Sequence, residues 1–343
     1  MDDRSSPSRE FEDLVRRILE AVDFKIERQP PNAVDKGFDF VGSLDDEKWA
    51  IAVKYYRTDR AQPQLIEAAA ARIANQSSST LDLGGMLIVS SILPPGMRDA
   101  LTKKFSITLF DRTDLETLTS EKPLLGGELQ AVLGSNLSQL FDTPEKPGDL
   151  LKRQKSAQPK SVAEEDTSGT TFCNQIRDLE PGKKWWSLYE ALCADSLKYL
   201  FPKDLHGWHK QKHTDDGLHR FDFVCRLRPT TEFWKFLMDH LNSRYVVFEF
   251  KNYRGRISQG QILTTEKYLL ERGLRRVAII ISRKGADANA LKMTQGAMRE
   301  HGKLMLVLDD EKLCAMLHKK ERGEDPSDLL FDWADDFLLK LPR

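Results

Sequence analysis

Two carboxylates and a lysine stand inside apolar runs in the second half of this 343-residue chain. Residues 248–253 read FEFKNY, with Glu249 and Lys251 two apart, and residues 219–227 read HRFDFVCRL, with Asp222 in the middle. Side chains two apart on a strand share a face, so Glu249 and Lys251 are neighbours, and an antiparallel pairing would set Asp222 opposite them. Glu190, in WWSLYEALCADSLKYLF (185–201), comes from a preceding helix. Charges in an apolar sheet are costly unless paired or bound to a metal. Carboxylate oxygens suit Mg²⁺, for which Mn²⁺ can substitute. Such an ion polarises a phosphate oxygen and acidifies a bound water. Asp222 and Glu249 are then the expected ligands. Lys251 would orient the water or stabilise developing charge, and Glu190 would hold a second metal or a water.

Around this group lie candidate nucleic-acid contacts. Gln259 and Gln261 open the next helix, and Arg254 and Arg256 follow the strand as phosphate clamps. Lys210 and Lys212, with Trp208, sit in HGWHKQKH (206–213) and could meet phosphates or a base. His206, His209 and His213 would share a face on a helix and could bind a transition metal. Gly207 and the preceding Pro202 favour a loop or irregular strand instead. Trp185 and Trp186 read most simply as core or helix-start packing.

The elements that must position these residues recur. The first half reads helix (11–24), strands (37–44 and 49–56), Ala-rich helix (65–76), buried strand (85–91), helix (94–105) and strand (107–112). The second half repeats that order: helix (185–201), strands (219–227 and 245–253), helix (257–273), strand (276–282), helix (287–302) and strand (303–309). It inserts one extra helix-like piece, 230–243. In the first half IAVKYY (51–56) stands where FEFKNY stands in the second, but position 52 is alanine.

The second half, through YEALC with Glu190, RFDF with Asp222 and EFK with Glu249 and Lys251, resembles the restriction-endonuclease-like superfamily, the PD-(D/E)xK nucleases. The first half, through FEDLVRRIL with Glu12, GFDF with Asp39 and AVKYY with Lys54, resembles its Mrr-like branch. The resemblance implies an α/β fold, with two tandem restriction-endonuclease-like domains, each a mixed central sheet flanked by helices. It implies Mg²⁺-dependent hydrolysis of DNA, in a prokaryotic defence or restriction setting. Ala52 offers no oxygen ligand, so Glu12, Asp39 and Lys54 read as a degenerate site, unless Glu12 or a carboxylate such as Glu67 moves into the gap. The expected layout is a degenerate Mrr-like domain (1–142), a flexible linker (143–183) rich in Pro, Ser, Thr, Lys and Glu, and a nuclease domain with an acidic C-terminal helix (184–343).

The totals bound the rest. Lys and Arg number 52 against 53 Asp and Glu, so whole-chain charge names no partner. Residues 1–120 hold 16 basic and 20 acidic side chains, whereas residues 173–319 hold 26 and 18. The second half is therefore the better grip for a polyanion. Four scattered cysteines suggest neither a disulfide framework nor a CxxC site. The polar start MDDRSSPSRE is unlike a signal peptide, and no apolar run reaches the ~20 residues of a membrane span. A cytoplasmic protein without a membrane partner is expected, acting as a homodimer or as a subunit of a defence complex. The absence of a GxxxxGK loop argues against ATP-driven translocation. Two other readings stand beside the DNA endonuclease: a non-cutting scaffold that binds nucleic acid or a partner, and an RNA nuclease.

Overall fold

A computed structural model describes residues 6–28, 37–45, 47–79, 83–134, 165–210 and 222–342. Its contacts divide the chain into two compact units, Met1–Asp166 with Arg322–Glu324, and Thr167–Glu321 with Asp325–Arg343.

In the first unit α1 (Pro7–Ala21) starts at Ser6, whose side chain accepts from the backbone N–H of Arg9, with proline in the first turn. Strands β1 (Lys25–Arg28), β2 (Phe40–Leu44) and β3 (Glu47–Lys54) follow, then α2 (Pro63–Ser79), β4 (Gly84–Val89), α3 (Pro95–Phe105), β5 (Thr108–Phe110), α4 (Arg112–Leu118) and α5 (Pro123–Leu133). The sheet runs β1-β2-β3-β4-β5, antiparallel through β3 and parallel beyond it. Alternation along β3 divides its side chains between two cores. Trp49, Ile51 and Val53 pack with Phe11, Leu14 and Ile18 of α1. Ala50 and Ala52 pack with Leu65, Ile66 and Ala70 of α2.

The second unit opens with α6 (Ser168–Asp178), a single 3₁₀ turn (Lys183–Trp185) and α7 (Trp186–Leu200). Then come β6 (Leu205–Lys210), β7 (Phe223–Leu227), α8 (Glu232–Asp239), β8 (Tyr245–Lys251), α9 (Gln259–Glu266), β9 (Val277–Ser282), α10 (Ala288–His301), β10 (Leu304–Leu308), α11 (Asp310–Glu321) and α12 (Ser327–Leu339). Its sheet runs β6-β7-β8-β9-β10, antiparallel through β8 and parallel beyond it. The two sheets share strand order and the point where direction changes. These are two tandem restriction-endonuclease-like α/β domains, each a mixed five-stranded sheet flanked by helices.

Several expectations need correction. The stretch 143–183, expected as linker, contains α6, whose Cys173 and Ile176 are fully buried in the second core. Only a few buried side chains carry that helix, so its polar composition masked it. The edge strand β1 is an addition, whereas β6 is the irregular strand that Gly207 and Pro202 favoured. KIER is short and mostly polar, and β6 is broken by a register shift between His206 and His209, with Gly207 at φ +61°. His206 Nε2 lies 2.8 Å from the Lys203 carbonyl oxygen. Among the described residues no group of three His, Cys, Asp or Glu is assembled for a metal, and His213 and Lys212 lie outside them. The C-terminal helix α12 buries Leu330 and Ala334 in the core of its own unit.

Candidate active site

Strand β8 presents Val246, Phe248 and Phe250 to one core of the second domain and Val247 to the other. Alternation therefore puts Glu249 and Lys251 on the Val247 face, beside Tyr268 and Ile262. The antiparallel register pairs Phe223 with Phe248, so Asp222, one residue outside β7, lies alongside Glu249. A hydrogen bond fixes it there. The Asp222 Oδ2 accepts from the backbone N–H of Phe250 at 2.8 Å. The Lys251 Nζ donates to Glu249 Oε1, while Glu249 Oε2 is buried with no hydrogen-bond partner among the described residues.

Burial and the nearby Asp222 push the Glu249 carboxyl up to about 7, with Lys251 drawing it partway back. Burial alone would lower Lys251, but the Glu249 charge outweighs it and holds the ammonium above its ordinary value. Burial, followed by Glu249, also raises the Tyr268 phenol.

Glu190, on the first turns of α7, is 2% exposed. It lines a cleft of about 500 Å³ together with Asp222, Lys251, Gly182, Lys183, Trp186, Phe250, Asn252 and Tyr253. The structure thus brings Glu190, Asp222 and Lys251 to one opening with Glu249 buried beside it. It does not gather Glu190, Asp222 and Glu249 into a three-donor group. The donor set fits a hard divalent cation that uses two carboxylates and keeps water ligands, and the orphaned Glu249 oxygen is the atom such an ion would satisfy.

The nucleic-acid candidates separate. Arg254 and Arg256 are exposed in the loop after β8, and Gln259 is exposed at the start of α9. Gln261 is already engaged. Its Oε1 accepts from both the N–H and the hydroxyl of Ser258, closing a capping box. Trp208 packs into the core, stacked on Phe248 at 6.0 Å and edge-on to Phe223 at 6.2 Å, so it is no free base platform. Trp186 was misread in the other direction, since it is half exposed at the cleft rather than packed. The doublet WW gave no sign of which ring turns outward.

The first domain repeats the frame. Phe40 pairs with Ile51, and Asp39 Oδ2 accepts from the backbone N–H of Val53 at 2.7 Å, as Asp222 does from Phe250. Ala52 therefore occupies the place of Glu249, and Lys54 that of Lys251. Residues 4–119 resemble a restriction-endonuclease domain. They match the Mrr catalytic family, described as "Restriction endonuclease", which belongs to the PD-(D/E)xK nuclease superfamily. No curated protein matches the chain, and no solved structure does. In the matched endonuclease domain Ala52 is 3% exposed and packed in the α2-side core. Glu67 does not move into the gap, because its carboxylate meets the Lys104 Nζ at 2.6 Å on the surface. Glu12 is half-buried on α1. The Lys54 Nζ pairs with Glu324 at 3.1 Å, from the short segment that groups with this unit. Among the described residues no helix is long and apolar enough to cross a membrane.

Proposed function

We propose that the second domain is a metal-dependent nuclease that hydrolyses phosphodiester bonds of DNA, and that the first is a degenerate copy serving binding or assembly. One observation carries the reading. The Asp222 bond to the Phe250 amide aligns two carboxylates and a lysine on one sheet face beside a cleft, with a buried Glu249 oxygen that has no hydrogen-bond partner among the described residues. A divalent ion, Mg²⁺ or Mn²⁺, bound by Asp222 and Glu249 would acidify a water and polarise the scissile phosphate. Lys251 supplies fixed positive charge toward that phosphate. Glu190, across the cleft, accepts hydrogen bonds from the attacking water. Arg254, Arg256 and Gln259 hold the strand on either side. The resemblance implies that such a nuclease acts in prokaryotic defence in the cytoplasm, as a homodimer delivering one site to each strand or as a subunit of a defence complex.

The closed Glu249–Lys251 pair favours one rival, a domain whose charges are structural and which binds nucleic acid without cutting. Incubation of the full chain with supercoiled plasmid, linear DNA and RNA, in Mg²⁺, Mn²⁺ or EDTA, separates the readings. Glu249→Ala and Lys251→Ala should each lower metal-dependent cleavage by at least about 100-fold, within the range of lost charge stabilisation. Lys54→Ala should leave it unchanged. Metal-independent DNA retention with no cleavage, indifferent to Glu249→Ala, would establish the scaffold. Cleavage confined to RNA would change the substrate.

A further inference from the structure

Two large aromatic rings stand open at the mouth of the second domain's cleft. Trp186 is 51% exposed and Tyr253 is 44% exposed, and both line the opening that holds Glu190, Asp222 and Lys251. The chain disposes of other tryptophans differently. Trp49 and Trp234 are buried, Trp208 and Trp333 pack against the core, and the Trp185 ring is covered by the Lys184 ammonium at 4.6 Å.

The spacing of the two open rings is fixed by backbone ties. The Gly182 N–H donates to the Asn252 carbonyl at 2.8 Å, and the Asn252 side-chain amide donates back to the Gly182 carbonyl at 3.1 Å. The Arg283 Nε in turn donates to Asn252 Oδ1 at 2.8 Å. Trp186 begins the helix four residues after Gly182, and Tyr253 directly follows Asn252. The segment carrying one ring is thus bolted to the segment carrying the other, and the exposed Lys183, Lys184, Arg254 and Arg256 are their near neighbours in sequence.

We propose that Trp186 and Tyr253 form a seat for an unpaired nucleobase, so that the domain engages DNA through a single-stranded nucleotide beside the phosphate in the cleft. The inference rests on the nuclease reading of that cleft and names its substrate class. A base inside a duplex has both faces stacked on its neighbours and its edge paired. An exposed indole and phenol at an active-site mouth offer flat faces on which a base can stack once its own face is free, as every unpaired base's is. The neighbouring cations take the flanking phosphates without regard to sequence.

Binding is measured on the full chain in EDTA, where no cutting occurs. A 20-nucleotide single strand, its duplex and a duplex with a 3-nucleotide overhang are compared by anisotropy and by tryptophan quenching. The single strand and the overhang should bind about tenfold more tightly than the blunt duplex. Trp186→Ala and Tyr253→Ala should each erase most of that preference, and Trp186→Phe should keep part of it. The quench seen on adding single strand should shrink in Trp186→Phe. An unchanged melting temperature for each variant excludes unfolding as the cause. Equal affinity for blunt duplex and single strand, or a preference untouched by both alanine variants, overturns the seat even if the wild-type protein cuts duplex DNA. A preference that disappears with the rings, in a protein that cuts nothing with Mg²⁺ or Mn²⁺, keeps the seat and removes the nuclease reading.

Discussion

Asp114 in the first domain shows what a buried carboxylate does to pH dependence. It closes the capping box of α4, accepting from the Asp111 N–H at 2.8 Å, and pairs with the Arg98 guanidinium at 2.9 Å. Burial still dominates and pushes its carboxyl up to about 6, with Arg98 opposing and Asp111 adding to the rise. The folded value lies above the unfolded one of ~3.9, so folding favours the protonated form. That contribution is fully present below about 3.9 and is lost as pH rises through about 6. Asp114→Asn cannot lose it. Urea unfolding at pH 5 and pH 7.5 should therefore show a smaller fall in stability for the variant than for the wild type, by ~1–2 kcal/mol. A fall of equal size would show that Arg98 fully compensates the burial. The candidate site residues stood out at this scale for a related reason. Asp222, Glu249 and Lys251 break apolar strands, where a charge stands out, and Ala52 is conspicuous as the same break left unfilled. Trp186 was not legible, since an aromatic at a helix start reads alike whether it packs inward or faces a cleft.

At the scale of elements, the strands and helices that carry both sheets could be read from periodicity, because buried parallel strands such as VAIIIS leave long apolar runs. The piece at the site's rim could not. Residues 179–182 have no periodic pattern, and their place is set from a distance by side chains. Arg283 donates to the carbonyls of Ile176 and Leu179 and to Asp310, and the Asn252 amide reaches the carbonyls of Glu180 and Gly182. The buried Tyr189 hydroxyl completes the cluster by donating to Asp310 at 2.7 Å, and burial holds that phenol well above its ordinary range. Asn252→Ala deletes the amide and leaves the Arg283 Nε and two carbonyls short of a partner. The expected cost is ~1–3 kcal/mol, read as a lower urea midpoint with an unchanged slope. Because the rim carries Lys183 and Trp186, cleavage should fall more than stability alone explains, by about tenfold at a temperature where the variant remains folded. Normal cleavage in a destabilised variant would mean that the rim finds its position without this clamp.

At the scale of the whole molecule, duplication was legible as a repeated order of elements, and the two sheets bear it out strand for strand. Each unit has a core on both faces of its own sheet. Leu14 is 1% exposed under the first sheet, and Leu237 is fully buried in α8 against the second. Replacing either by alanine removes the same atoms from equally closed sites, at ~2–5 kcal/mol each. The consequences should differ in place. Native-state hydrogen exchange read by peptide should show Leu14→Ala opening the amides of β3, β4 and β5 first, with those of β7, β8 and β9 holding their protection. Leu237→Ala should show the reverse, and metal-dependent cleavage should become heat-sensitive only in this second variant, because the proposed site rests on β7, β8 and α7. Uniform loss of protection across both sheets from either substitution would mean that the two cores open as one cooperative unit. Loss of cleavage in Leu14→Ala, with the second sheet still protected, would place an active role in the domain that lacks the Glu249 equivalent.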